Sequence, residues 1–472
     1  MGISNKYVMV EDHIKTRIHT GQLSNEDKLP SIRDLSSELN VSKNTVIRAY
    51  QELEGQGIIY AVAKSGYRVQ TPRHVVSQVT QPNHVDLLSL CKEILTYSPK
   101  REWLATGSAH PNIDSPAIKT LYAEIGRHSR QQSQIPSHYQ LPPGNTLLLR
   151  HLTKISQGLG VEVSSNDLAV THGAQQAISL ALRAMTQPGD IVAVESPCYF
   201  GNLLLMESLG LKVIEIPSCP RSGMDPDLLA QAVTKWLIRV IVVTPNFTNP
   251  TGAKMPLEKR LALLEAAQSV AIIEDDVFGA LTFDETITPL KTLDKRDRVI
   301  YVNSLSKMLD SRLRIGWIAA GRYQAEIEKL LVSDNMGSLN LMQSAVAGFL
   351  NSGKYKQHVK RMQREYQTNV RMFCQQLSRS LDAYANLNGR YQLYCPQGSF
   401  LVWLSLPAKS DSEQLYQQAK ALNISILPGT LFATEGQYRH CVRFSCSNFL
   451  THPDWKNGVV KLAELIHHQV NR

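Results

Sequence analysis

The sequence predicts an α/β chain in two unlike parts, a small helical module closed by a hairpin and a large domain on a mostly parallel sheet. Three observations predict it. Apolar residues recur at helical spacing through the first part, while apolar runs alternate with helical patterns from about Trp103 onward. Between them, Thr71 to His84 is polar, contains Pro72 and Pro82, and reads as a linker. The expected division is a module over 1–72, a linker and connecting helix over 73–102, and a domain over 103–472. With 472 residues, 43% of them hydrophobic and 19% charged, the chain has material for more than one core.

In the module, Val10, Ile14 and Ile18 form one helical stripe ending near Gly21. Pro30-Ser31 opens a second helix carrying Ile32, Leu35 and Leu39. Ser42 then caps a third, whose Val46, Ala49, Tyr50 and Leu53 face inward while Lys43, Asn44, Ile47, Arg48 and Gln51 face outward. Two β-rich pieces, Ile58–Tyr60 and Tyr67–Val69, meet at a turn over Lys64-Ser65-Gly66. Three helices and a hairpin make a winged helix-turn-helix. The segments Lys28–Leu35, Val41–Val46 and Arg48-Ala49-Tyr50, with the wing turn, resemble the GntR family of bacterial transcription regulators. That resemblance implies a double-stranded DNA operator, with Arg33, Ser42, Lys43, Thr45 and Arg48 at phosphates and base edges and Lys64 and Gly66 near the minor groove. The alternative is a helical dimerisation domain, which would need no such polar cluster.

In the large domain, strands are expected at Leu168–Val170, Ile191–Val194, Val240–Val243, Ala271–Ile273 and Val299–Val302, parallel and covered on both faces. Ligands in such sheets sit beyond the strand carboxyl ends, so the residues that follow each strand matter most. Thr171–Gln176 opens a helix whose small residues suit a phosphate or simple capping; Glu195–Tyr199 offers an aromatic ring or a core tyrosine. Asn246–Gly252 presents an amide or only a turn. Glu274-Asp275-Asp276 offers a carboxylate for a ligand, with a helix cap or metal binding as the alternatives. After the fifth strand, Ser304-Leu305-Ser306-Lys307 supplies an amine able to form an imine with an aldehyde, and Arg314 follows at a distance that suits a phosphate.

Taken in order, these segments resemble fold-type I aminotransferases from roughly Ser137 to Asn448. The resemblance implies pyridoxal 5'-phosphate (PLP) held as an internal aldimine on catalytic Lys307, with Asp275 at the pyridine nitrogen. It further implies Asn249 at the ring hydroxyl, Tyr199 stacked on the ring, and Gly173, Ala174, Gln175, Ser304 and Arg314 around the phosphate. Tyr139 would enter the neighbouring subunit's site in a homodimer. Arg443 would bind a substrate carboxylate. One departure stands out: Phe278 occupies a position where the family commonly has tyrosine, a loss of roughly 1 kcal/mol of hydrogen bonding that cofactor binding should survive, while the altered electronics of the aldimine leave efficient transamination in question.

The two parts in this order resemble the MocR subfamily of GntR-type regulators. A PLP-dependent regulator sensing PLP or a small amino compound through aldimine chemistry at Lys307 is implied, with an active aminotransferase as the alternative. Composition narrows the setting. Seven cysteines without a C-x-x-C pair predict reduced thiols in a cytoplasmic protein, with no metal site, signal peptide or membrane span expected. The net charge of +9 does not locate a DNA surface, since residues 1–72 carry nine Lys/Arg against eight Asp/Glu. Much of the later excess lies between Lys354 and Arg379, most simply a solvated helix face and otherwise a second DNA contact.

Overall fold

The computed structural model describes residues 6–19, 23, 27–55, 58–62, 66–69, 81, 91–92, 103–132, 134, 139–336 and 339–470. The expected linker, apart from Gln81, lies outside them. In the module, α1 (Lys6–His19), α2 (Ile32–Glu38) and α3 (Lys43–Gly55) precede an antiparallel hairpin of β1 (Ile59–Val62) and β2 (Gly66–Val69). Val10, Ile14, Leu35, Val46, Ala49 and Leu53 are fully buried, so the apolar stripes of the three helices meet in one small core. Ser31 caps α2 by accepting from Asp34 N, and Tyr50 Oη donates to Pro30 O at 2.8 Å, which ties α3 to the start of α2.

The large domain is organised by β4 (Leu168–Thr171), β5 (Ile191–Ser196), β6 (Lys212–Cys219), β7 (Gly223–Met224), β8 (Ile238–Val243), β9 (Ala271–Asp275), β10 (Val299–Ser304) and β11 (Gly316–Ala319). Their order across the sheet is β4-β11-β10-β9-β8-β5-β6-β7. Neighbours from β10 to β6 pair in parallel, as expected for runs such as Ile238–Val243 that are buried on both faces. The first expected strand, β4, runs in the same direction as these but does not pair with them: β11, a strand the sequence reading did not place, lies between β4 and β10 and is antiparallel to both.

A second, smaller sheet of antiparallel strands contains Gln392–Tyr394, Leu401–Ser405, Leu427–Pro428 and Cys441–Ser445. Its strands pack with the long helix Lys354–Asp382 and the helix Trp455–Val470 in a core that includes Tyr366, Phe373, Val442 and Leu462. The short strand Leu104–Ala105 pairs in parallel with Ile424–Ser425, so the chain enters the domain beside this smaller sheet. Buried Glu215 on β6 accepts from Ser196 Oγ of β5 at 3.0 Å and from Thr434 Oγ1 at 2.6 Å, tying the large sheet to the segment that connects Leu427–Pro428 to Cys441–Ser445. Among the described residues, no helix is long and apolar enough to cross a membrane.

Candidate functional site

The carboxyl ends of β4, β5, β8, β9 and β10 open on one region of the large domain. β9 sorts its acidic cluster by alternation. Glu274 accepts from Leu290 N and Lys291 N at 2.9 and 2.8 Å, and Asp276 accepts from Asn246 Nδ2 and Tyr301 Oη, both at 2.7 Å. Asp275 is left facing the other way with Val277 N as its donor at 3.2 Å. Burial raises its pKa to about 7, Asp276 adds to the rise, and Lys307 opposes it.

Lys307, in the turn after β10, donates from Nζ to Ala109 O at 2.9 Å. Burial lowers its pKa to about 8, Arg443 and Arg314 push in the same direction, and Asp275 counters them. The Phe278 ring lies 5.7 Å from Nζ, so the residue that replaces the family's tyrosine borders the amine. Arg443 is only 2% exposed and donates from Nη2 to Gly107 O at 2.7 Å, while its Nε and Nη1 are buried without a hydrogen-bond partner. Burial lowers its pKa to about 9. Both cations, Arg443 buried and Lys307 half-buried, therefore hang on backbone carbonyls of one short strap, Gly107 to Ala109.

The candidate anion cradle is built from close backbone approach. Gly173, at φ 84°, precedes the helix Ala174–Met185, and a Cβ there would meet Arg314 Nη2 at 2.3 Å. A Cβ on Gly316 would likewise meet Gly173 C at 2.5 Å. Arg314 takes a left-handed turn at φ 51° and donates to His172 O at 3.0 Å and Ser306 Oγ at 3.4 Å. Ala174 starts the helix, but Gln175 is committed to Gly201 O at 2.6 Å, and buried Ser304 lies 2.8 Å from Ser306 Oγ. Ser306 is thus a contact of Arg314 that the sequence reading did not single out.

Asn249 Oδ1 is buried without a partner. Its loop is held by Glu195, which accepts from Thr244 N at 2.9 Å and whose pKa burial raises to about 8. Tyr199 begins the helix Phe200–Ser208, and its ring fills the space that a side chain at position 201 would need, with Cε1 at 2.5 Å from a Cβ built on Gly201. Tyr139 stands apart. It is 73% exposed.

Unpartnered Asn249 Oδ1, the two unpartnered nitrogens of Arg443 and the glycine-lined cradle fit PLP, whose hydroxyl, carboxylate-bearing adducts and phosphate match them in chemistry.

In the module, Arg33, Ser42, Lys43 and Arg48 are exposed and Thr45 is partly so. Ser42 Oγ accepts from Thr45 N at 3.2 Å and pairs with Thr45 Oγ1 at 2.8 Å, so part of its capacity goes to capping α3. The Arg48 guanidinium lies 4.2 Å from the Tyr7 ring centre, which restrains it on the polar face of α3. Gly66 takes φ 95° at the wing, and Lys28 Cε lies within 3.8 Å of where its Cβ would be. Lys64 lies outside the described residues. Exposed Lys28 is a neighbour of the wing that the residue pattern alone did not assign there.

The family model "Aminotransferase class I and II" matches residues 116–459, and "Bacterial regulatory proteins, gntR family" matches 6–69. The chain is 31% identical to the uncharacterized HTH-type transcriptional regulator YjiR of Escherichia coli (strain K12), covering 94% of this chain and 95% of that protein. It is 28% identical to the probable rhizopine catabolism regulatory protein MocR of Rhizobium meliloti, over 77% of this chain and 75% of that protein. Among solved structures, LysN, the alpha-aminoadipate aminotransferase of Thermus thermophilus complexed with N-(5'-phosphopyridoxyl)-L-leucine, superposes with a TM-score of 0.70. That likeness covers 81% of this chain and 95% of LysN at 23% identity.

Proposed function

The chain belongs to the MocR subfamily of GntR-type transcription regulators, and on that premise we propose that it binds PLP at Lys307 and adjusts operator binding in response. The effector is PLP itself or a small amino compound with a carboxylate. The observation that carries this reading is the pair of depressed cations, Lys307 and Arg443, bound to carbonyls of the same strap. A buried and a half-buried positive charge with weak partners favour an anionic ligand that can neutralise them.

When bound, PLP supplies an electrophilic carbon and an electron-withdrawing ring. The rest falls to the chain. Lys307 is the nucleophilic amine, poised by its lowered pKa; Asp275 holds a proton at the ring nitrogen; Asn249 bonds the ring hydroxyl; Tyr199 stacks on the ring. Gly173, Ala174 and Arg314 hold the phosphate, with Ser304 and Gln175 supporting that cradle from behind. Arg443 takes the effector carboxylate in planar, bidentate fashion. The exposed ring of Tyr139 suits a residue that completes the site of a second copy, so the working form is a homodimer. Its free cysteines suit a reducing, cytoplasmic setting.

The winged helix holds the operator through Arg33, Ser42, Lys43, Thr45 and Arg48, with the wing at Lys64 and Gly66. Occupancy at Lys307 changes the population of domain arrangements, and the linker carries that change to the winged helices. The aminotransferase alternative draws on Asp275 and Arg443 and is weakened by Phe278. Operator titrations of wild type and Lys307→Ala, with and without PLP and a panel of amines, separate the two. The variant is expected to bind operator normally and to lose the effector response. Rapid spectral turnover of wild type with an amino acid, together with an unchanged response in Lys307→Ala, would establish the enzyme instead.

A further inference from the structure

We propose that the outward face of the helix Lys354–Asp382 is a second DNA surface, which contacts the phosphates of duplex flanking the operator. The proposal rests on the winged helix being the operator-binding module. Met362, Tyr366, Phe373 and Leu377 turn one face of this helix into the core, and Lys360, Arg361, Arg364, Arg371 and Arg379 lie exposed on the other. From Arg361 to Arg379 the row extends for about 27 Å at 1.5 Å per residue, comparable with one turn of duplex DNA at roughly 34 Å.

A face built only for solubility interleaves acids with its cations at i,i+4 spacing. This face does not. The helix carries two acids, Glu365 and Asp382. Glu365 lies 3.8 Å from Arg361 and accepts from Asn112 Nδ2 at 2.7 Å, and Asp382 accepts from Tyr391 Oη at 2.9 Å. Among the described residues, Lys360, Arg364, Arg371 and Arg379 have no acidic partner within 4 Å. Four unneutralised cations in a row repel one another, and a phosphate backbone relieves that repulsion while releasing its own counterions.

Position links the row to the operator. The end of the row packs beside α3, where Arg379 and Gln375 line a cavity of about 420 Å³ together with Gln51 of α3 and Tyr60 of β1. Gln51 belongs to the polar face of α3, the same face that carries Lys43 and Arg48. A duplex leaving that face therefore meets Arg379 first and then Arg371 and Arg364.

The test uses the full chain and two duplexes: a short one selected from a random pool by the wild-type protein, and the same sequence extended by about one helical turn of unselected DNA on each side. Wild type should bind the extended duplex more tightly and with a steeper salt dependence. Arg364→Ala/Arg371→Ala/Arg379→Ala should lose that gain, its log–log salt slope falling by about 2 to 3, while its affinity for the short duplex stays unchanged. The corresponding triple Arg→Lys variant should keep the gain, because a point charge suffices at a phosphate. Three results would overturn the proposal: no gain from the flanks in wild type, a full gain in the alanine variant, or an equal loss on both duplexes. Absence of sequence-selective binding to the short duplex would instead refute the winged-helix reading.

Discussion

The winged helix wears its cations in water, while the large domain holds Arg443 and Lys307 largely out of it. Arg33, Lys43 and Arg48 stand exposed on a module with one small core, whereas Arg443 is 2% exposed and Lys307 reaches only a backbone carbonyl. The difference teaches which kind of anion each region suits. Exposed cations meet a spread-out polyanion, so each contributes modestly and the sum depends on salt. Cations drawn out of water suit one small anion, and removal of a single partner leaves the other charge stranded in a poor medium.

The comparison breaks most easily at Arg443. Arg443→Leu is expected to weaken carboxylate-bearing effectors by about 3 kcal/mol or more, with little effect on amines that lack the carboxylate. Spectral titrations with matched pairs of ligands measure this, and equal losses for both members would remove Arg443 from the recognition of carboxylates.

The same substitution sharpens the contrast through Lys307. Aldehyde capture needs the neutral amine, so its rate in wild type should rise with pH and reach its half-maximum near the lowered pKa of about 8, well below the ordinary value of 10.5. Arg443 is one cause of that lowering, and Arg443→Leu should move the midpoint upward. Stability follows the same sign. Between about 8 and 10.5 the unfolded chain binds the Lys307 proton more readily than the folded one, so this group's contribution to the stability of the ligand-free protein improves as pH rises through that window. Asp275, raised from 3.8 to about 7, works oppositely, and its contribution declines as pH rises through its own window.

On the exposed side the effects should be smaller. Arg48→Ala is expected to cost about 1–3 kcal/mol in operator affinity if it reaches a base edge, with cofactor absorbance unchanged. Tyr7→Leu removes the ring that restrains Arg48 and should cost about 0.5–1 kcal/mol. Fluorescence anisotropy across a salt series would check both. Smallest is Gly66→Ala: the φ of 95° disfavours a side chain, so wing stability should fall by about 1 kcal/mol and operator affinity by a few-fold.

Sequence and structure agree best where side-chain type decides the geometry. The strand ends preceding Gly173, Tyr199, Asn249, Asp275 and Lys307 were legible because apolar runs stop where polar motifs begin, and a sheet brings such stops to one edge. The antiparallel course of β11 was hidden, since Gly316–Ala319 is equally apolar in either direction. So was the strap. Gly107 and Ala109 act through carbonyl oxygens, which every residue possesses, and no residue pattern marks them. Glu195 escaped notice for a related reason, because its partners are a backbone N–H and a threonine some fifty positions away in the chain. Tyr139 was assigned to a neighbouring subunit by resemblance, and within one chain it simply faces outward.

The two bare nitrogens of Arg443 have a consequence for how the molecule responds to heat. A folded state with an unrequited buried cation is less stable than its packing alone would make it, so any ligand that satisfies that cation raises the melting temperature. At a free concentration one hundred times its dissociation constant, such a ligand adds about 2.7 kcal/mol by mass action. Melting point thus serves as a gauge of which small acids the protein has met, and a thermal screen of cellular amino acids would rank them without any knowledge of the operator.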